Sequence, residues 1–357
     1  MKHVCFLIGN INSTGGTERV TSLIANELIK KGYSITILSL YGGDSPFYFL
    51  DKNIKTHALF TQKVSFRTQF LSCVWRLRNF VSMHKVDSLI VVDSLSCVFS
   101  VPALFGLKIK HICWEHFNFN VNLGVRFRDL GRKWAAKYCD YIITLTYRDK
   151  ILWENGLRDI RAKILPIANP TPYERIEHLP SLEYKTVLVV GRLTYQKGFD
   201  LLLQAWAIVC ESNKDWTLKI VGGGEEEHKL KQQAVDLRIQ DRVVFVPPTK
   251  NVDEHYRSAA FYCMSSRFEG LPMVLLEAQA YGLPIISFDC DTGPSEIITH
   301  GKNGYLVQMG DINEMSFFLK GLMYCEENNY RSFSEEALKS SKKFHIDKIV
   351  NRWCEII

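Results

Sequence analysis

The chain has 357 residues, of which 46% are hydrophobic and 23% charged. At roughly 150 residues per domain this is about two domains with a large core, and the composition excludes a disordered or fibrous chain. Lys and Arg number 44 against 38 Asp and Glu, and the resulting +6 is uneven, with +11 over residues 1–175 and −5 over the rest. A basic half beside an acidic half points to an anionic partner for the first, or to a solvated imbalance.

The predicted elements alternate from the start. An apolar run over 4–8 ends at Gly9 and reads as a strand. Helical periodicity over 17–31 runs through Val20, Leu23, Ile24 and Leu28 to a stop at Gly32. Further strands fit 34–40, 89–92, 109–114, 141–145 and 162–167, with helices between. Residues 88–107 carry one charge, Asp93, and are long enough to cross a bilayer. Four serines and a proline divide that stretch into a short strand and a helix that Asp93 or Ser94 would cap. We therefore expect a chain that is soluble or rests on a membrane surface.

Pro170, Pro172 and Pro180 then mark a linker over 171–182. Beyond it the alternation restarts, with strands over 186–190, 217–221, 242–246, 261–264 and 284–287 and helices over 198–210, 226–237, 272–281 and 312–325. The expectation is two tandem Rossmann-like, doubly wound α/β domains facing a cleft, over 1–170 and 183–340. A last helix over 341–357 would pack back on the first domain. Such domains bind ligands at the carboxyl ends of their strands.

Ten cysteines are scattered singly with no C-x-x-C pair, the pattern of reduced, buried thiols rather than of a disulfide framework or a zinc site. The N-terminus lacks signal-peptide architecture.

Three segments carry chemistry. Asn12-Ser-Thr-Gly-Gly-Thr-Glu18 joins the first strand to the first helix, so Gly15 and Gly16 admit either an anion at a helix N-terminus or a tight turn. It is neither the dinucleotide fingerprint nor a P-loop. Arg192 and Lys197 flank the turn Gly191-Arg-Leu-Thr-Tyr-Gln-Lys-Gly198 after a strand, where two cations suit a diphosphate. An exposed basic turn is the alternative. In Glu269-Gly-Leu-Pro-Met-Val-Leu-Leu-Glu277, Pro272 suits the first helical turn and Glu277 falls among apolar residues, where a carboxylate needs a partner. That partner is a ligand hydroxyl or a structural ion pair. Two acceptors beside two cations describe a ligand with hydroxyls and phosphates, such as a nucleotide sugar.

Glu269-x7-Glu277 resembles the E-x7-E signature of retaining GT-B glycosyltransferases, in particular glycosyltransferase family 4. The Gly191-Arg-Leu…Gln-Lys-Gly segment, the Gly15-Gly-Thr-Glu18 opening and Asp291-Thr-Gly-Pro-Ser-Glu296 resemble the same family, in the family's order along nearly the whole chain. The resemblance implies a nucleoside diphosphate sugar donor on the second domain. Arg192 and Lys197 would hold its diphosphate, Glu277 its ribose and Glu269 the sugar hydroxyls. Gly270 and Leu271 would line the sugar through backbone N–H groups, and Gly15 and Gly16 would approach the phosphates. His116, in Trp114-Glu-His116, matches a family position that faces the transferred sugar; a packed histidine is the alternative.

The expected reaction retains anomeric configuration and needs no metal or other cofactor. Asp289-Cys-Asp291 spells a D-x-D that binds metal in another glycosyltransferase fold, but the two cations already supply that charge. The expected acceptor is a lipid-linked saccharide of bacterial surface polysaccharide synthesis, reached at the inner face of the cytoplasmic membrane. Two basic segments fit that surface. Residues 64–85 carry Phe66, Phe70, Val74, Leu77 and Val81 at helical spacing with Arg67, Arg76, Arg78 and Lys85; Lys63 lies just before. Residues 125–137 add Arg126, Arg128, Arg132, Lys133 and Lys137. Core-packing helices with solvated basic faces are the alternative. No nucleic-acid motif is present. A nucleotide-sugar 2-epimerase of the same architecture and a non-enzymatic nucleotide-sugar-binding partner are the competing functions.

Overall fold

The computed structural model describes residues 1–357 apart from 66, 67 and 175. The chain forms two compact units, Met1–Pro170 with Ile346–Ile357, and Thr171–His345.

In the first unit the elements are β1 (His3–Ile8), α1 (Gly16–Lys30), β2 (Ser34–Tyr41), β3 (Lys55–Phe60), α2 (Phe70–Met83), β4 (Ser88–Val92), α3 (Cys97–Leu104), β5 (Lys110–Trp114), α4 (Arg126–Tyr138), β6 (Tyr141–Thr144), α5 (Tyr147–Gly156) and β7 (Lys163–Pro166). The seven strands form one parallel sheet in the order β3-β2-β1-β4-β5-β6-β7. Central strands such as β4 are buried along their whole length, as a sheet covered on both faces requires.

In the second unit they are β8 (Thr186–Val190), α6 (Phe199–Cys210), β9 (Thr217–Val221), α7 (Glu227–Asp236), β10 (Val243–Val246), α8 (Val252–Arg257), β11 (Phe261–Met264), α9 (Met273–Ala280), β12 (Ile285–Phe288), α10 (Pro294–Ile297), β13 (Gly304–Val307), α11 (Ile312–Met323) and α12 (Glu327–Ser341). Its six parallel strands run β10-β9-β8-β11-β12-β13. In each sheet the order reverses once, between β1 and β4 and between β8 and β11. Those reversals open crevices at the carboxyl ends of the strands.

The chain returns to the first unit through α13 (Ile346–Cys354). Trp353 is fully buried with its ring 4.9 Å from Trp114, and Lys2 Nζ donates to the carbonyl of Ile357 at 2.9 Å. Thr171 N–H donates to the carbonyl of Phe344, so the proline-rich segment read as a linker joins the second unit, which runs on to His345 rather than stopping at 340.

Five elements escape the sequence patterns, among them the short helices α8 and α10. β3 is a half-exposed edge strand of polar texture, β13 begins on a glycine, and α12 has a broad polar face. Residues 88–107 resolve into β4, a turn in which Asp93 accepts the N–H of Leu95, and α3. Among the described residues no helix is long and apolar enough to cross a membrane.

The two basic segments differ most from expectation. Phe66 and Arg67 lie outside the described residues, and α2 begins only at Phe70. Its stripe of Cys73, Leu77 and Val81 belongs to the core. Arg76 donates to the Leu59 carbonyl, and Arg78 to those of Ala103 and Phe105. In α4, Arg128 and Arg132 are only 4% and 2% exposed. Arg128 and Arg132 are internal fasteners and Arg76 and Arg78 fasten the surface of the unit, because a guanidinium's donors can satisfy carbonyls and carboxylates of a fold.

Candidate active site

The crevice of the second unit is built from the loops after β8 and β11. Lys197 ends a short turn, and Gly198 follows with φ +62°. A Cβ at Gly198 would overlap the carbonyl oxygen of Ser265, so only glycine lets the two loops approach this closely. Gly222, at the end of β9, would likewise press a Cβ into the carbonyl of Gly191.

Across that contact Lys197 Nζ lies 2.6 Å from Glu269 Oε1. The carboxylate is 8% exposed and leans on the cation. Several bonds fix the pair in place. Ser265 Oγ donates to the Lys197 carbonyl (2.9 Å), Arg267 N–H to the Gln196 carbonyl (2.8 Å) and Gln196 Nε2 to the Phe268 carbonyl (3.0 Å). Arg267 also grips both oxygens of Asp200, at 2.8 and 2.6 Å, and its guanidinium stacks over Tyr195 at 4.1 Å. Burial raises the Asp200 pKa, but the Arg267 bonds outweigh it and leave the carboxyl below its ordinary value.

Arg192 is exposed in the same loop, its carbonyl accepting the N–H of Thr194 and its guanidinium bonded to no described residue. Glu277, in α9, is 4% exposed and accepts from the Tyr256 hydroxyl at 2.8 Å. Burial, then the charge of Glu277, pushes the Tyr256 pKa well up, so that hydroxyl remains a donor. Gly270 and Leu271 follow Glu269 into the turn before α9, and Thr292 Oγ1 donates to the Glu269 carbonyl. The second unit therefore gathers Arg192, Lys197, Glu269, Gly270, Leu271 and Glu277 around one sheet crevice. Asp289 is half-buried and Asp291 exposed on the loop after β12, and neither belongs to a group of three metal-ligating side chains among the described residues.

The remaining candidates lie in the first unit. Gly15 caps α1, and the helix's own Glu18 carboxylate folds back over it where the sequence suggested a phosphate. Gly16 opens the helix, exposed. His116 follows β5 with its ring 4.4 Å from Trp114. Its Nε2 is buried without a hydrogen-bond partner, and burial lowers its pKa to about 3, so the imidazole is neutral.

Sequence patterns did not reveal the charge network around the His116 loop, in which Arg128, Arg132 and Asp93 were read in other roles. Glu115 is fully buried, 3.2 Å from Arg132 Nε, and Arg128 lies 2.6 Å from Asp93. Glu115 Oε1 accepts the N–H groups of His116 and Phe117, and Arg132 donates to the carbonyls of Asn118, Phe119 and Val121. The network thus sets the loop that carries His116. Tyr256, Asp200 and Arg267 were also missed. Their only cue was proximity in sequence to Lys197 and Glu269, which says nothing about direction.

Comparison with known proteins fixes the family. Residues 14–172 match the model for Glycosyltransferase Family 4 and residues 172–340 that for Glycosyl transferases group 1. An uncharacterized glycosyltransferase of Haemophilus influenzae is 41% identical over the whole of both chains.

The chain belongs to glycosyltransferase family 4.

The amylovoran biosynthesis glycosyltransferase AmsD of Erwinia amylovora is 30% identical to this glycosyltransferase over 100% of each chain. A Campylobacter jejuni α-1,4-N-acetyl-D-galactosaminyltransferase, whose name gives an undecaprenol diphosphate-linked saccharide, is 28% identical over 100% of this chain and 98% of its own. Among solved structures, the lipopolysaccharide outer core galactosyltransferase WaaB superposes with a TM-score of 0.76 at 21% identity, covering 99% of this chain and 98% of WaaB. Anabaena HepE in complex with UDP superposes with a TM-score of 0.78 at 16% identity, covering 99% of each. The fold is GT-B, and the protein is a glycosyltransferase of the hexosyltransferase class.

Proposed function

We propose that this glycosyltransferase moves a hexose or N-acetylhexosamine from a UDP-sugar to a hydroxyl of a lipid-linked saccharide in bacterial surface polysaccharide synthesis, with retention of configuration. The observation that carries the donor half is the Lys197–Glu269 pair beside exposed Arg192, at the reversal of the second sheet. Cations and a carboxylate so fixed suit a ligand that carries phosphates next to sugar hydroxyls. UDP in the HepE complex, and the lipid-linked substrate in the name of the Campylobacter relative, support the nucleotide and the acceptor. Retention rests on the family resemblance.

In the reaction the bond from the anomeric carbon to the β-phosphate oxygen breaks as the acceptor hydroxyl oxygen bonds to that carbon. The hydroxyl proton passes to the departing phosphate, and UDP leaves. Negative charge grows on the β-phosphate, where Lys197 acts most strongly because it is held in advance of the charge, and Arg192 adds a second cation from the same loop. Glu277 accepts from the ribose, with Tyr256 holding its second oxygen in place. Glu269 accepts from the sugar hydroxyls, and the N–H groups of Gly270 and Leu271 line the sugar. In the first unit the family resemblance alone assigns roles to Gly15, Gly16 and His116, and the Glu18 carboxylate over Gly15 would have to move aside for a phosphate. The two cations supply the charge a metal would otherwise bring, so we propose catalysis without one.

We also propose that the first unit meets the inner face of the cytoplasmic membrane through exposed apolar groups: Leu71, Trp75 and Met83 on α2, and Leu123, Val125 and Phe127 before and in α4. Arg126 and Lys133 lie exposed nearby. Side chains of this mixture suit a headgroup layer.

The test incubates the purified enzyme with UDP-sugars and a lipid-linked saccharide fraction. Elongation of the lipid-linked product, dependent on both components, is expected. A free or epimerised sugar formed without acceptor would establish the epimerase instead, and binding without turnover would leave a nucleotide-sugar-binding protein.

A further inference from the structure

Three metal-ligating side chains converge in the core of the first unit, with a fourth thiol on the same strand face. Cys97 opens α3, His111 lies on β5 and Cys139 follows α4. Their sulfurs and a ring nitrogen of His111 all lie within 4.8 Å of one another. Successive residues of a strand face opposite ways, so Cys113, two along from His111, faces the same side of β5. It packs in the same core cluster as Cys97 and Cys139. All four side chains are buried.

We propose that Cys97, His111, Cys113 and Cys139 form a zinc site in the core of the first unit. Thiolate and imidazole are the ligands zinc prefers, and four protein ligands close the coordination sphere, as in structural rather than catalytic sites. A zinc–sulfur bond of about 2.3 Å sets tetrahedral sulfurs about 3.8 Å apart. The observed spread therefore closes by small side-chain movements.

The chemistry of the pocket favours the ion. An isolated thiolate in an apolar core is expensive, and bonding to a divalent ion offsets that cost. Ser100 Oγ lies 3.0 Å from His111 Nε2 and Asp140 Oδ2 accepts the His111 N–H at 2.7 Å, so the ring and its strand are already held. The ligand spacing in sequence matches no zinc signature, because the ligands meet only when α3, β5 and α4 assemble. The ion would tie both helices to the strand that leads into Glu115 and His116. This proposal is independent of the glycosyl-transfer reading.

The test is metal content and spectroscopy of the whole protein. Enzyme from zinc-supplemented growth, desalted over a weak chelator, is expected to hold about one zinc per chain. Cobalt-supplemented growth should give thiolate-to-cobalt charge-transfer absorption and tetrahedral d–d bands. Cys139→Ser and Cys97→Ser should lose both signals, while Cys325→Ser, in the second unit, keeps them. Should the site variants fail to fold, wild-type protein refolded from denaturant decides, with a higher unfolding midpoint expected with zinc than with EDTA. Zinc-supplied wild-type protein with far less than one metal per chain, and equal midpoints after refolding with zinc and with EDTA, would overturn the proposal.

Discussion

Lys197 Nζ sits 2.6 Å from Glu269 Oε1, so the cation assigned to the donor's diphosphate and the carboxylate assigned to its sugar neutralise each other. A bound donor must share both partners of this pair. Removing either partner therefore has distinct effects on nucleotide and on transfer. Glu269→Gln frees the ammonium and should bind UDP at least as tightly as wild type, while losing the sugar contact. Lys197→Ala should weaken UDP binding. One charge-assisted bond contributes about 1.5–3 kcal/mol, so each variant should lose roughly 10- to 100-fold in transfer rate. Calorimetry with UDP beside steady-state kinetics checks this. Equal weakening of UDP binding in both variants would contradict the shared-pair account.

Asp200 and Arg267 touch none of the proposed donor contacts but strap the Lys197 loop to the Glu269 loop. They are positioning residues. Arg267→Lys loses the two-pronged grip and should lower kcat several-fold with little change in KM. The swap Asp200→Arg with Arg267→Asp should recover part of kcat. A variant that loses only thermal stability, with kcat intact, would reduce the strap to a structural role.

Glu115 is fully buried between two arginines. Arg132→Met should destabilise the first unit by about 3–5 kcal/mol, because it strands a buried carboxylate. For a unit of this size the unfolding midpoint should fall on the order of 10 °C. Leu71→Glu with Trp75→Glu, both exposed, should leave the midpoint nearly unchanged but reduce co-sedimentation with anionic vesicles. If Arg132→Met unfolds like wild type, the network does not carry the stability assigned to it.

His116 supplies the pH dependence. Its folded pKa is lowered to about 3 by burial, against about 6.5 unfolded. The unfolded chain therefore takes up this proton first as pH falls. The stability from neutral His116 is complete above about pH 6.5 and is lost toward about pH 3, at up to about 1.4 kcal/mol per pH unit. Burial raises Asp149 to about 7 and Asp93 to about 6, so both protonate in the folded state and oppose that slope. Comparison with His116→Phe isolates the histidine. In urea unfolding, the wild type should lose ground to His116→Phe as pH falls from about 7 to about 4. A constant difference between the two proteins across that range would refute a buried neutral imidazole.

Much of this architecture was legible because burial on both faces of a parallel sheet writes continuous apolar runs, as in β4 and β11. The turn that carries Lys197 and the start of α9 were legible because loop glycines and Pro272 mark where strands end and a helix begins. Edge strand β3 was not, since it is half-solvated. The arginines of α2 and α4 misled for a different reason. Periodicity assigns a side chain to a face, but it cannot say whether a carboxylate or carbonyl waits there. Arg132 meets Glu115 across 17 residues of sequence, and Arg78 meets the Ala103 carbonyl across 25. The same long-range assembly hides the Cys97–His111–Cys139 cluster.

Donor binding by the second unit is the central claim, and thermal unfolding with UDP-, GDP-, ADP- and dTDP-sugars tests it most directly. Ligand at about 100 times its dissociation constant stabilises by about 2.7 kcal/mol, which should raise the midpoint by several degrees. The account predicts a rise with UDP-sugars that is lost in Glu277→Gln, a variant that keeps a side chain for Tyr256 to bond but removes the charge offered to ribose. A UDP-sugar shift of the same size in Glu277→Gln and Lys197→Ala, or no shift with any nucleotide sugar, would contradict it.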